Sequence, residues 1–210
     1  MDIDFSQITA YQRYKLMASL IVPRPIALIT TLGENGVVNA APFSMFNMLG
    51  EDPPVVVVSI NRLHDGRLKD TAANILSSGE FVVHLADELI ADKMHGCGAA
   101  VPPHVSEIEL VNFTTSASAM VRPPRIAEAP VAFECVLHEK LETESRYIFI
   151  GRVLCLHVRD GLVDTETWRV RLQEYFPVGR FGASFYVRTR DRFAIEGQDH
   201  ESRSTQIDEI

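Results

Sequence analysis

The chain has 210 residues and a mass of 23.5 kDa. That is the size of one generous domain, and such a fold buries roughly 70% of its unfolded surface without disulfides or a structural metal. Apolar residues make up 46% and charged residues 23%, which predicts an ordered globular chain. Lys and Arg total 20 against 28 Asp and Glu, a formal charge of −8. This excludes a general nucleic-acid binder, which needs a net basic face, but leaves room for a local basic pocket.

The opening residues, MDIDFSQITAYQRYK, show no basic-then-apolar leader pattern. No apolar run approaches the ~18 residues of a membrane span. Three cysteines, Cys97, Cys135 and Cys155, have no CxxC spacing. That usage fits a reducing, cytoplasmic setting. Cys135 and Cys155 lie in strand-like runs and are expected to be buried, inert thiols.

In chain order, Pro25–Leu32 is a β-branched, apolar run. It is followed by Gly33-Glu34-Asn35-Gly36 and a second short run, Val37–Ala41. Asn-Gly between such runs predicts a hairpin, because both residues tolerate positive φ. Pro42–Gly50 mixes aromatics with Ser, Asn and Gly and is expected to be an irregular loop or single helical turn. Val55–Ile60 is apolar on both faces and reads as a central strand. Thr71–Leu76 reads as a short helix, with Asp70 as N-cap and Gly79 just past its end. Phe81–Leu85 is a further strand and Leu89–His95 a second helix. From Gly96 to Ala129 the chain is expected to be coil, long enough to wrap something. Two long β runs follow, Val131–Leu141 and Tyr147–Val158, then a turn at Asp160-Gly161. Thr165–Gln173 is mixed helix or loop, and Arg180–Val187 a last strand. These signals predict one mainly β domain over residues 1–195. Residues 196–210 form a polar, acidic tail. Strands separated by hairpin signals favour an antiparallel barrel over a doubly wound sheet, and no GxGxxG or GxxxxGK[ST] fingerprint occurs.

Three polar clusters are candidates for chemistry. Ser59, Asn61 and Arg62 end a buried strand, and Lys69, Asp70 and Thr71 open a helix. Cations, hydroxyls and unpaired helix N–H groups together suit a phosphate, although an ordinary cap with solvated charges has the same pattern. Asn39-Ala40-Ala41-Pro42-Phe43-Ser44 combines small residues with directional hydrogen bonders, as a flat ligand requires, and is equally a strand running into a turn. In Val22-Pro23-Arg24-Pro25 the prolines fix an extended entry, and Arg24 faces either a phosphate or solvent. His95, Cys97 and His104 match no standard zinc spacing, so no metal is expected. No nucleophile–base pattern appears either.

Taken in order, RPIALITT, NAAPFSMF, PPVVVVSINR, KDTAANI and GEFVVHL resemble the flavin reductase-like, FMN-binding split-barrel family. RPPRIAEAPVAFECVL, FIGRVLCLHV and PVGRFGASFY extend the resemblance over about residues 11–190. Within the family the chain is similar to the reductase components of two-component flavin-dependent monooxygenases. The resemblance implies a six-stranded antiparallel Greek-key split barrel, a homodimer, and FMN near the subunit interface. It implies that Ser59, Arg62, Lys69 and Thr71 hold the phosphate. The ring would lie against Thr30, Thr31 and Asn39–Ser44, with Arg24 near the flavin or phosphate. Arg180–Tyr186 would come from the partner subunit.

The implied activity is hydride transfer from NADH or NADPH to flavin N5, supplying reduced flavin to a separate monooxygenase. The alternative is an FMN-binding electron carrier without nicotinamide activity. One departure stands out: relatives often read F-V-V-N where this chain has Phe81-Val82-Val83-His84. His84 is either a plain substitution at a strand end or a change to the flavin or nicotinamide pocket.

Overall fold

The computed structural model describes residues 1–193, and the expected acidic tail lies outside them. Seven strands form one antiparallel sheet. They are β2 (Ala27–Leu32), β3 (Val38–Phe43), β4 (Phe46–Glu51), β5 (Pro54–Asn61), β6 (Glu80–Leu85), β7 (Val131–Glu142) and β8 (Arg146–Val158). A smaller sheet contains β1 (Arg24–Pro25) and the hairpin β9 (Val178–Gly182) and β10 (Phe185–Arg188). The helices are α1 (Ala10–Leu20), α2 (Asp70–Ser78), α3 (Ala91–Gly96) and the single turn α4 (Glu107–Leu110).

The large sheet runs β3-β2-β6-β7-β8-β5-β4. Its outermost strands, β3 and β4, are consecutive in the chain and joined through Ser44 and Met45. The sheet must therefore curl until its two edges meet. The result is a barrel split along the β3–β4 seam, with the Ser59 N–H donating to the Met45 carbonyl beside it (2.8 Å). The expected antiparallel barrel is present with seven strands rather than six. The extra strand is β4, within the stretch expected to be loop. Pairing with β5 overrides the turn-forming tendency of Asn47 and Gly50.

The hairpin at Gly33–Gly36 forms as expected. Gly36 has φ +78° and the Gly33 N–H donates to the Val37 carbonyl. Helix α2 begins one residue earlier than expected: Lys69 is the N-cap and Asp70 lies in the first turn. Gly79 ends the helix at φ +71°.

Strand β2 explains its unbroken apolar sequence by being buried on both faces. Ala27 and Ile29 face the barrel interior with Val58, Ile60, Ile75, Phe81 and Phe149. Leu28 faces a second core with Ile90, Met94, Ile108 and Ile126. The inner core is tight. A Cβ on Gly151 of β8 would lie 2.3 Å from Phe81 Cζ, so glycine is what admits that ring.

The segment expected to be coil, 96–129, forms the outer wall of this second core. It carries α4 and a short ladder, Thr115–Ser116 with Arg125–Ile126. Barrel and segment are bound by buried polar groups. The Ser106 hydroxyl donates to the Val38 carbonyl (2.6 Å), and Glu107 accepts the Ala40 N–H (2.9 Å). Thr30 donates to the Pro124 carbonyl (2.7 Å). Glu134 on β7 accepts the N–H groups of Ala119 (2.7 Å) and Met120 (2.5 Å).

His84 belongs to the same system. Its ring is fully buried between Leu28 O (2.9 Å to Nδ1) and the Ile126 N–H (2.9 Å to Nε2). Only the neutral tautomer with hydrogen on Nδ1 satisfies both partners. Burial, reinforced by the charges of Arg125 and His157, pushes its pKa down to about 4. The unfolded chain protonates this residue near pH 6.5. Between pH 6.5 and 4 the unfolded state therefore binds more protons, and stability falls as pH drops through that window. The contribution is at most about 1.4 kcal/mol per pH unit. Denaturant titrations of wild type and His84→Gln at pH 7 and 5 should show a smaller loss in the variant. Equal losses would overturn this account.

Candidate functional site

The candidate residues collect at one end of the barrel. There β5 ends, β8 begins, and α2 plugs the opening with Ala72 and Ile75 in the inner core. Leu68, Phe43 and Tyr147 pack against that same core, which draws the three elements together.

Helix α2 has no side-chain cap at its N-terminus, so its first-turn N–H groups remain open to an anion. The N-cap residue itself is a cation. Lys69 is half-buried with its ammonium 5.7 Å from the Phe43 ring centre. Burial alone pushes its pKa down. A desolvated lysine at an uncapped helix start gains most from a bound anion. Thr71 is buried, and its hydroxyl accepts from Asn39 Nδ2 (2.9 Å). Asn39 also reaches Thr31 Oγ1 (3.4 Å), which takes a second bond from Asn74 (3.0 Å). The α2 start is thereby locked to strands β2 and β3.

Ser59 is half-buried, and its hydroxyl accepts from Arg146 Nη1 (3.2 Å). Arg62 is more committed. It pairs with Glu142 (2.5 Å), donates to the Gly66 carbonyl (3.2 Å) and lies over Tyr147 (5.1 Å). Asn61 is exposed and bonds the Arg62 carbonyl. Arg146 is thus the cation that the structure adds. It sits directly opposite Asn61 in the β5–β8 register, a relation visible only after the strands pair.

Thr30 and Thr31 are fully buried and bonded to protein groups, so within this chain they support the site rather than line it. Ala41 and Pro42 are half-buried on β3, and Phe43 belongs to the inner core. Pro42 and Ser44 reach a cavity of about 780 Å³, which also contains Tyr11, Tyr14, Ile26 and Gly98. Lys15, Arg24, His95 and Arg180 line it, and among the described residues no carboxylate does.

Arg24 is mostly occupied with holding α1. It donates to the carbonyls of Ala18 and Ile21, and Nε approaches Ser44 Oγ (3.4 Å). Burial pushes its pKa down, and Arg180 adds to the effect. Arg180 stacks on Tyr186 (4.8 Å), whose hydroxyl bonds His95 Nδ1 (2.8 Å). The β9–β10 hairpin, expected from a partner, reaches this cavity in its own chain. Helix α1, which supplies Tyr11, Tyr14 and Lys15, was not anticipated. Its signal is the Thr9-x-x-Gln12 capping box, present with both reciprocal bonds.

His84 points away from all of this into the second core, so its departure from the usual sequence leaves the cavity unchanged. Cys97 and Cys135 are buried thiols whose pKa values are pushed up to about 12 by burial. Cys155 corrects the expectation: it is half-exposed. Among the described residues no helix is long and apolar enough to cross a membrane.

The split barrel thus carries an uncapped helix start and a basic cavity, linked through Phe43, which contacts Lys69 and lies between the cavity residues Pro42 and Ser44. The family model described as "Flavin reductase like domain" matches residues 17–175, and the chain belongs to this family. A solved 2-nitrobenzoate 2-nitroreductase from Pseudomonas fluorescens is 38% identical, over 95% of this chain and 98% of that one, with TM-score 0.86. Nitrilotriacetate monooxygenase component B from Bacillus cereus is 34% identical, over 93% and 98%, with TM-score 0.87. A split-barrel chain from Shewanella frigidimarina, 21% identical over 94% and 99%, shares the fold with TM-score 0.77. The chain is thus a flavin-related redox protein of the split-barrel type.

Proposed function

We propose that the chain is an FMN-dependent NAD(P)H:flavin oxidoreductase. The observation that carries this reading is the uncapped start of α2, with desolvated Lys69 as its cap, linked through Phe43 to a cavity that, among the described residues, is lined by four basic side chains and no carboxylate. The donor set fits FMN. Lys69, the α2 amides, Ser59 and Arg146 take the phosphate, with Arg62 flanking. Thr71 and Asn39 hold the helix start in register. The flat Ala41-Pro42 backbone and Ser44 take the ring.

When bound, the flavin supplies N5 as hydride acceptor, and no side-chain acid or base is needed for that step. The chain's contribution is orientation and charge. Lys15, Arg24 and Arg180 favour anions in the cavity, which suits the diphosphate of NADH or NADPH. Similarity to a monooxygenase component B supports delivery of reduced flavin to a separate oxygenase.

Two variants test the phosphate assignment. Lys69→Ala and Arg146→Ala should each weaken FMN binding about tenfold or more, because charge-assisted bonds to phosphate are the strong ones. Fluorescence titration with unchanged affinity in both would refute the assignment.

The activity is tested by adding NADH or NADPH to the FMN-loaded protein without oxygen. Bleaching of the flavin absorption is the expected outcome. Retained absorption with bound FMN would instead support the electron-carrier alternative.

A homodimer is part of the proposal. Helix α1 buries none of its residues and exposes Tyr11, Met17 and Leu20, while β4 exposes Met48 and Leu49. A second copy covering such apolar surface would remove it from water. Light scattering at micromolar concentration should give twice the chain mass, and a monomer would count against it.

A further inference from the structure

Outside the flavin site, three ligand-type side chains meet on the barrel wall. Glu134 lies on β7, with Cys155 and His157 two residues apart on β8, and Cys155 is the register partner of Glu134. Their Oε, Sγ and Nε2 atoms all lie within 4.8 Å of one another. Cys155 Sγ is 3.6 Å from His157 Nε2, and that nitrogen contacts Glu134 Oε1. In tetrahedral zinc, bonds of about 2.3 Å to sulfur and about 2.0 Å to nitrogen place those two atoms about 3.5 Å apart. The Cys–His spacing already has this value, whereas Glu134 and His157 touch each other and would part to about 3.3 Å to admit the ion between them.

The Glu134 carboxylate is fully buried on the outer side of its strand, an expensive place for a charge. It is fixed by the Ala119 and Met120 N–H groups, which are the outer hydrogen bonds that orient a metal-binding carboxylate. Arg125, which lines the small adjoining cavity with His157, turns its guanidinium to the Ala117 carbonyl (3.1 and 3.2 Å). Cys155 and His157 are half-exposed, so a water can reach a fourth position.

We propose that Glu134, Cys155 and His157 bind a borderline divalent ion of the Zn²⁺ type. A thiolate and an imidazole select such an ion over Mg²⁺ or Ca²⁺. The ion would take the place of the direct contact between Glu134 and His157, and its charge would offset the carboxylate and the Cys155 thiolate. Since Glu134 also holds Ala119 and Met120, the metal would fasten the 96–129 segment to β7 and β8. This site is independent of the flavin reading.

Co²⁺ is the probe. Titrated into flavin-free protein, it should give a thiolate charge-transfer band and tetrahedral visible bands that saturate at one equivalent. Zn²⁺ should erase them. Cys155→Ser and His157→Gln should each weaken Co²⁺ binding at least tenfold, while Cys97→Ser keeps the bands. Both site variants should bind FMN as wild type does, which also reports that they fold. If one variant fails to fold, the other carries the test. Zn²⁺ should raise the melting temperature of wild type only. Absence of the bands in wild type, or unchanged bands in a folded site variant, would overturn the proposal.

Discussion

The architecture depends on how a long segment with little regular structure satisfies its backbone against a barrel. Residues 96–129 leave many N–H groups without strand or helix partners, and burying them unpaired would cost more than the apolar contacts gain. Buried side chains resolve this. Glu134 takes two of the segment's amides and His84 takes a third. Glu107 reaches the other way, from the segment to the amide of Ala40. Thr30 and Ser106 supply hydrogens where the free groups are carbonyls. With polar groups paired, Ile108, Phe113 and Ile126 can close over the outer face of β2.

That closure positions the site. Strand β3 carries the Asn39–Phe43 stretch, and its backbone is gripped by β2 on one side and α4 on the other. Asn39 then transmits the position of β3 to Thr71 and so to the start of α2. The anion-ready helix end and the flat backbone of β3 are therefore one rigid unit. A cofactor with a phosphate at one end and a planar ring at the other needs that fixed relation.

Much of this was legible in the sequence because it is encoded locally. Asn35-Gly36 announces a hairpin, Val55–Ile60 a buried strand, and Gly79 a helix end. The motif order announces the family. What was not legible depends on pairing between distant residues. Arg146 joins Ser59 and Asn61 only through the β5–β8 register, and β4 becomes a strand only by docking on β5. The sequence leaves His84 as either a plain strand-end substitution or a pocket residue; alternation along the strand sends it to the face opposite Val83, against Ile126. Thr30 and Thr31 pair with Ala40 and Asn39 as neighbours of the candidate stretch, but both are fully buried within the chain. Cys155 lies in an apolar run, but the irregular pairing between Val153 and Cys155 accompanies its exposure on the barrel wall.

The two edges of the split sheet differ in a way that bears on self-association. On β3 the outward Ala40 N–H is taken by Glu107 and the outward Val38 carbonyl by Ser106. Two ladder positions on this edge are thereby taken, which disfavours β-addition there. On β4 the outer strand shows Met48 and Leu49 to solvent. Recruitment of another polypeptide by strand pairing, whether productive assembly or misassembly, is thereby favoured on the β4 side of the seam.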